Sequence, residues 1–499
     1  MPLFQSLLIL LVCAVALAAL ARYLKLPYPS LLALGGTVLA FFPHAPTFAL
    51  DPTLTLALFV APALLDAAFD TSLRDLKRYW VPVITLVIVA VGITTVAVAW
   101  LLRVMVPEMP WAAAIAIGAI VAPPDAVAAS AVMRRLRIPH RILVILEGES
   151  LLNDATALLV YRIAVSVTLG TTFSGSSTAL LSVAMIAGGF VGFALAQLMM
   201  RVTRHITDAP SAIVLQFVST FGVWILAEDI GLSPIVTIVA YAITAARLAP
   251  ESQSASLRLP TNAVWETVVF VLNVLAFVLI GLQIRPVYES LESYERVRFL
   301  QIALSVLGMV IGVRVAWVLI YNRLANWLSN FKPTVAGSLV VGWSGMRGIV
   351  TLATAYALPE QFPHRDLALV CAFSVVVGTL VLQGMTLRPL ILALKLTDDG
   401  TVEREVRRAQ DVLALVALEI LEEDDSELAR TLHDEFVTTE VAELDAPHVT
   451  GREARNRLRE RIITSQRRAL VVLRDTAEIG DDAFHRLEEH LDRLEVVLG

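Results

Sequence analysis

Ile120-Val121-Ala122-Pro123-Pro124-Asp125-Ala126-Val127 sets two consecutive prolines and a carboxylate inside an apolar stretch, residues 111–133. A helix of about 20 apolar residues crosses a bilayer, so this stretch reads as a membrane span with a break at its centre. Proline has no N–H, and the carbonyls of Ala119 and Ile120 lose their helical donors. The helix must open there. Freed carbonyls beside a carboxylate are hard oxygen ligands suited to a small alkali cation. Asp125 would begin the second half-helix, where the dipole favours an anion. A plain proline kink capped by Asp125 is the simpler reading; depth in the membrane and the charge weigh against it.

The next apolar stretch, 141–169, opens Leu146-Glu147-Gly148-Glu149-Ser150-Leu151-Leu152-Asn153-Asp154-Ala155-Thr156. Ser150 and Asp154 are four apart and share a helix face; Glu149 and Asn153 share the neighbouring one. This polar stripe points into the bundle at the depth of the break. Ala155, Thr156 and Ala157 follow, and small residues allow close helix approach. A buried carboxylate here holds a proton or a cation but not both, which is the chemistry of an exchanger. The plainer alternative is a hydrogen-bonded contact between helices.

Outward from these two stretches the chain stays apolar. Of its 499 residues 57% are hydrophobic and only 17% charged, which favours a membrane protein over a soluble one. Apolar runs fall near 4–21, 28–43, 53–69, 79–104, 111–133, 141–169, 177–200, 210–228, 231–248, 262–284, 298–324, 333–358 and 364–394, predicting about thirteen spanning helices. With the N-terminus outside, 17 Lys/Arg fall in loops on the inner side and 5 on the outer. That asymmetry places the C-terminal segment in the cytoplasm. The N-terminus lacks the basic region of a signal peptide and is taken as the first span. Cys13 and Cys371 sit inside apolar runs and read as small buried residues.

Composition changes near Thr397. Residues 397–499 carry 14 Lys/Arg against 26 Asp/Glu, whereas residues 1–396 carry 25 against 19. Two domains are expected: a transmembrane one, 1–396, and an acidic helical cytoplasmic tail, 397–499, with a regulatory role. Helical period runs over Val402–Leu421, Arg452–Arg474 and Asp482–Leu498, with Pro447 and Gly451 as a divide. His433, His448, His485 and His490 are candidate pH sensors, although histidines scattered on polar helices are usually surface residues.

The charges within the apolar runs that stand out are the acids Asp66, Asp125, Glu149 and Asp154, joined by Arg162, Arg314 and Arg347. A charge at mid-membrane costs about 2.5–3.5 kcal/mol on insertion scales, so each is a functional candidate. Arg347 lies in Val341-Gly342-Trp343-Ser344-Gly345-Met346-Arg347-Gly348-Ile349, where three glycines weaken the helix. The fifth and twelfth spans are therefore both interrupted, the pattern of an inverted-repeat transporter whose site lies where broken helices cross. Arg347 needs a counter-ion, expected from Asp66 or Glu149; Arg162 and Arg314 are unassigned, and either is an alternative partner for Asp66.

These segments resemble the sodium/proton exchanger branch of the monovalent cation:proton antiporters, over most of residues 1–396. Glu147 to Asp154 looks like the family's sixth-helix signature, and Gly345-Met346-Arg347-Gly348 like its arginine-bearing helix. Leu272–Gln283 and Gln383–Leu390 also look like family segments. The resemblance implies an all-α inverted-repeat antiporter fold with two broken crossing helices, and exchange of a monovalent cation, Na⁺ above all, for H⁺. It implies that Asp154 alternates between proton and cation. Ser150, Glu149 (through water), Asp125 and the carbonyl of Pro124 would complete the cation site, with Na⁺ at Asp154, Asp125 and Ser150. Asn153 would support both aspartates, and Asp66 would partner Arg347. The family often has Thr-Asp-Pro where this chain has Pro124-Asp125-Ala126, and Glu where it has Asp66. The Asn153-Asp154 pair resembles the electroneutral branch, implying one cation for one proton. A homodimer in the plasma membrane is implied as well.

A K⁺- or Li⁺-preferring antiporter uses the same oxygens and stays open as a reading. A channel would need a continuous polar path, and the isolated carboxylates argue against one; a non-transporting membrane sensor whose tail signals stays open as the less favoured reading. An enzyme would need a metal held by Asp125, Glu149 and Asp154 without histidine. No enzymatic activity, cofactor or nucleic-acid partner is expected; the partners are the two ions and the bilayer.

Overall fold

The computed structural model describes residues 2–42, 51–69, 71–133, 136, 138–170, 175–252, 254–289, 295–328, 333–424, 426, 429–430 and 452–498. The described residues are helical wherever they are regular. In chain order the helices are α1 (Pro2–Tyr23), α2 (Tyr28–Ala40), α3 (Pro52–Phe69), α4 (Leu73–Arg78), α5 (Trp80–Met105), α6 (Trp111–Val121) and α7 (Ala126–Met133). There follow α8 (His140–Thr168), α9 (Gly175–Thr203), α10 (Ala209–Asp229), α11 (Pro234–Ser252), α12 (Ala255–Leu282), α13 (Ile284–Glu289) and α14 (Glu295–Leu328). The last are α15 (Val335–Trp343), α16 (Ile349–Tyr356), α17 (Arg365–Ala393), α18 (Thr401–Glu422), α19 (Arg452–Asp475) and α20 (Asp481–Leu498).

Every apolar run of the sequence lies on one of these helices or, for 111–133 and 333–358, on two with a gap between. Among the described residues seven helices are long and apolar enough to cross a membrane unaided; α2, α6 and parts of α1 and α11 are apolar but shorter. Large side chains such as Ile9, Val96, Phe190 and Val297 point outward and exposed. In water such a surface would be a liability; against lipid it is the expected one.

Local chemistry starts the helices. Asp51 accepts from Leu54 N at 2.8 Å and Asp208 from Ser211 N at 2.9 Å, each followed by proline in the first turn. Both devices satisfy or remove orphan N–H groups. Where helices touch, small residues decide. A Cβ on Gly36 would collide with the carbonyl of Val278, and one on Gly281 with that of Ala33, so α2 and α12 pack backbone to backbone.

The C-terminal helices α18, α19 and α20 match the three helical periods of the tail to within a residue or two. They share a small core of Leu413, Leu470, Leu473, Phe484 and Leu487. Pro447, Gly451, His433 and His448 lie outside the described residues. Of the remaining histidines, His490 is on the surface, while His485 is packed: its ring stacks on Phe69 at the end of α3.

Candidate functional site

The two interrupted spans meet and are tied together by hydrogen bonds at their breaks. α6 ends at Val121 and α7 begins at Ala126, so the chain is open from Ala122 to Asp125. Opposite, α15 ends at Trp343 and α16 begins at Ile349. Asp125 N donates to the carbonyl of Met346 at 2.6 Å. In return Arg347 Nε donates to the carbonyl of Val121 and Nη2 to that of Ala122, both at 3.1 Å, while Nη1 donates to Gly345. Its main-chain N–H goes to Thr379 Oγ1 at 3.0 Å. Helix ends leave carbonyls without partners, and a buried guanidinium with five donors satisfies several together. The break therefore frees the carbonyls of Val121 and Ala122 for Arg347, beyond those of Ala119 and Ile120, whose helical donors the two prolines remove.

Arg347 does not take a carboxylate counter-ion, a correction to the expectation from sequence. Among the described residues its guanidinium bonds only carbonyls, although Glu149 lies within electrostatic reach. Glu149 instead belongs to Arg314 on α14. Nη1 to Oε1 is 2.5 Å and Nη2 to Oε2 is 2.8 Å, with both residues buried. Arg314 Nη2 also reaches the carbonyl of Val341 at 3.2 Å, so one side chain joins α14, α8 and α15. Both carboxylate oxygens of Glu149 are engaged in this fork. Gly345 makes the fork possible, since a Cβ there would strike the side chain of Arg314.

Asp154 is buried on α8, with 8% of its surface exposed, and is electrostatically coupled to Asp125. The Asp125 carboxylate accepts from Val127 N at 2.9 Å through Oδ1, capping α7, and rests against the Cα of Gly348. Asn153 Nδ2 donates to the carbonyl of Pro124 at 2.6 Å, tying α8 to the break. Asn153 Oδ1 is buried without a hydrogen bond. Ser150 sits half-buried one helical turn before Asp154. The group that gathers at the crossing is thus Asp125, Asp154, Asn153, the Pro124 carbonyl and Arg347, with Ser150 on the Asp154 face.

Asp66 lies on a cavity whose walls include none of that group. It is half-buried and shares this cavity, about 540 Å³, with Gln216, Tyr241, Arg258, Asn262 and Glu266. Arg162 lines a much smaller cavity with Glu228 and Trp224. Among the described residues no three His, Cys, Asp or Glu converge as a metal cluster.

Thr379 had no signal in the sequence, since a threonine in an apolar helix is commonplace; Gly348 was marked as a helix-weakening glycine but not as the neighbour of the Asp125 carboxylate. Arg314 was marked by its charge, but its partner lies 165 residues away.

Comparison with known proteins places this geometry. Residues 7–393 match the family described as sodium/hydrogen exchanger, transmembrane. The chain is 30% identical to an exchanger of Escherichia coli K12 described as the uncharacterized Na⁺/H⁺ exchanger YjcE, over 95% of this chain and 94% of that one. It is 28% identical to a "sodium, potassium, lithium and rubidium/H⁺ antiporter" of Bacillus pumilus, over 100% of this chain and 78% of that one. The fold is similar to that of the sodium proton antiporter MjNhaP1 from Methanocaldococcus jannaschii, with a TM-score of 0.61 at 18% identity, covering 79% of this chain and 99% of that one. The chain is a multi-pass membrane protein that belongs to the sodium/hydrogen exchanger family.

Proposed function

We propose that this protein is a secondary antiporter that exchanges Na⁺ for H⁺ across the membrane by alternating access, one ion for one. The observation that carries the reading is Asp154, buried beside the crossing of two broken helices and electrostatically coupled to Asp125. A carboxylate in that position binds a proton or a cation in turn, because neutralisation by either removes the need for the other. Oxygens come from Asp154, Asp125, Ser150 and the Pro124 carbonyl. Asn153 and Arg347 position them, and Glu149 contributes through its hold on Arg314. The neutral Asn153 next to Asp154 leaves one ionisable group in the pair, which supports electroneutral exchange. The names of the relatives agree in class, since they are described as Na⁺/H⁺ exchangers or as antiporters of several alkali cations. Family membership supports a transporter rather than an enzyme.

The loop charges support an N-terminus outside and α18–α20 in the cytoplasm, and the family resemblance a homodimer in the plasma membrane. K⁺ or Li⁺ as the favoured cation is the second reading, supported by the Bacillus pumilus relative's description.

The test is reconstitution in vesicles with a trapped pH dye and an imposed proton gradient, adding Na⁺, K⁺ or Li⁺ in turn. The wild type should dissipate the gradient with a cation, and Asp154→Asn should not. Transport driven by voltage alone would remove the one-for-one stoichiometry. Absence of any cation-dependent proton movement would remove the antiporter reading.

A further inference from the structure

α20 touches the ends of two helices that belong to different parts of the bundle. α8, which carries Asp154, packs on α5, α6 and α11; α12 packs on α2 and α10. At its far end α20 meets the start of α12. Asp492 receives Arg258 Nε at 2.8 Å and Nη2 at 2.5 Å, and Glu488 stands 3.4 Å from Nη1. Arg258, Asp492 and Glu488 are all buried. At its near end α20 meets the start of α8. His140, the first residue of α8 and just outside the apolar stretch, has Nε2 3.1 Å from Asp75 Oδ2 and Nδ1 3.3 Å from Asp482 Oδ2. Between the two ends, His485 stacks on Phe69, and α20 walls the 540 Å³ cavity that reaches Asp66.

The His140 joint is an ion pair only with the ring protonated. Nε2 is hydrogen-bonded to Asp75, while Asp482 stands 3.3 Å from Nδ1 as a charge partner, and only the imidazolium attracts both carboxylates. The surroundings are consistent. Asp75 and Arg74 face the ring from α4, Asp482 from α20 and Asp399 from the α17–α18 connection, while Arg141 follows it on α8 and donates to Thr334. Arg74 is itself tied to Glu405 of α18 at 2.7 Å. Burial disfavours the charge on His140, but hydrogen bonding to Asp75 and attraction from Asp482, Asp75 and Asp399 outweigh it. His140 is held above the ordinary histidine value of 6.5. A raised value means that the contact is intact at acid pH and is lost as pH climbs through it.

We infer that α20 is a proton-sensitive strap between α8 and α12 that restrains transport while His140 is charged and lets go of α8 when His140 is neutral. The inference rests on the antiporter reading, in which α8 must move relative to its surroundings. Arg258–Asp492, a buried two-pronged ion pair, is the fixed anchor, and His140–Asp482 is the release. The strap stills the exchanger when protons are plentiful at this face and frees it as they are depleted.

Two measurements on the full-length protein test this. The first is transport in vesicles against pH for the wild type, Asp482→Asn and His140→Gln. Neither residue is part of the ion site. Below about pH 6.5 both variants should run about two- to fivefold faster than wild type, the ratio that matches a partly exposed ion pair, and should converge with it at alkaline pH. The second is amide hydrogen exchange in α20, which needs no transport. In the wild type α20 should be protected at acid pH and exchange faster at alkaline pH; in Asp482→Asn it should exchange fast at both. Equal protection of α20 at all pH values in all three proteins overturns the strap, whether or not the vesicles transport. Variants that share the wild-type transport profile overturn its control of activity. A wild type with the expected exchange pattern but no transport upholds the strap and sinks the antiporter reading alone.

Discussion

Arg314 grips Glu149 through a two-pronged ion pair, 2.5 and 2.8 Å, with both side chains buried in the bundle. The sequence places the two residues in different halves of the chain, and only the fold brings them together. The pair fixes α8 against α14 and α15, and so sets where Asp154 stands. Its worth is best judged by what happens when one partner is removed.

Glu149→Gln should leave Arg314 charged, buried and half-satisfied. Removing one partner of a buried pair costs about 3–5 kcal/mol, whereas replacing both by apolar residues of similar volume is often neutral. A Glu149→Gln protein should melt well below wild type in detergent. The double variant Glu149→Leu, Arg314→Met should recover most of the loss. Equal melting of the single variant and wild type would show that the pair contributes nothing net.

Asn153→Ala removes the 2.6 Å bond to the Pro124 carbonyl. An unsatisfied buried carbonyl costs about 1–3 kcal/mol, and the break in the fifth span loses its tie to α8. The apparent affinity for Na⁺ should fall about tenfold, which corresponds to roughly 1.4 kcal/mol of lost binding. Initial rates over a range of Na⁺ concentrations measure it. An unchanged half-saturating concentration would reduce Asn153 to a packing residue.

Gly348→Ala tests the closeness of the two broken spans. The new Cβ would collide with the Asp125 carboxylate, so one of the two must move. Overpacking of this kind costs about 1–3 kcal/mol. Since Asp125 caps α7 and stands near Asp154, transport should be lost while the protein still elutes as a folded species on size exclusion. Full activity in the alanine variant would mean that the carboxylate is free to shift without consequence.

Asp492→Ala removes the two-pronged partner of the buried Arg258 and leaves Glu488 standing 3.4 Å from it. The expected cost is about 3–5 kcal/mol, concentrated where α20 meets α12. Limited proteolysis should cut within α20 in the variant and spare it in the wild type. Equal resistance would show that the remaining contacts of α20, among them its core with α18 and α19, Phe69 with His485 and His140 with Asp482, hold it unaided.

Much was legible from single residues and their spacing. Pro123-Pro124 and the three glycines around Met346 announced two interrupted spans because a missing N–H or a missing Cβ acts locally, whatever the rest of the chain does. The apolar runs announced their helices for the same reason, since a bilayer requires each segment to satisfy its own backbone. The three tail helices followed from a 3.6-residue period over 402–421, 452–474 and 482–498. Asp125, Asn153 and Asp154 were marked because polar groups at membrane depth need a purpose.

The sequence by itself therefore determined the class of the protein, the places where helices break, and the list of charges that must be accounted for. Tertiary structure alone decided how those charges pair: Glu149 with Arg314 rather than Arg347, Arg347 with the carbonyls of Val121 and Ala122, Arg258 with Asp492. Ion pairing depends on distance between atoms, and hundreds of residues of chain can separate groups that the fold sets 3 Å apart. Local backbone chemistry is written residue by residue; the partner of a buried charge is settled only when every helix has found its place.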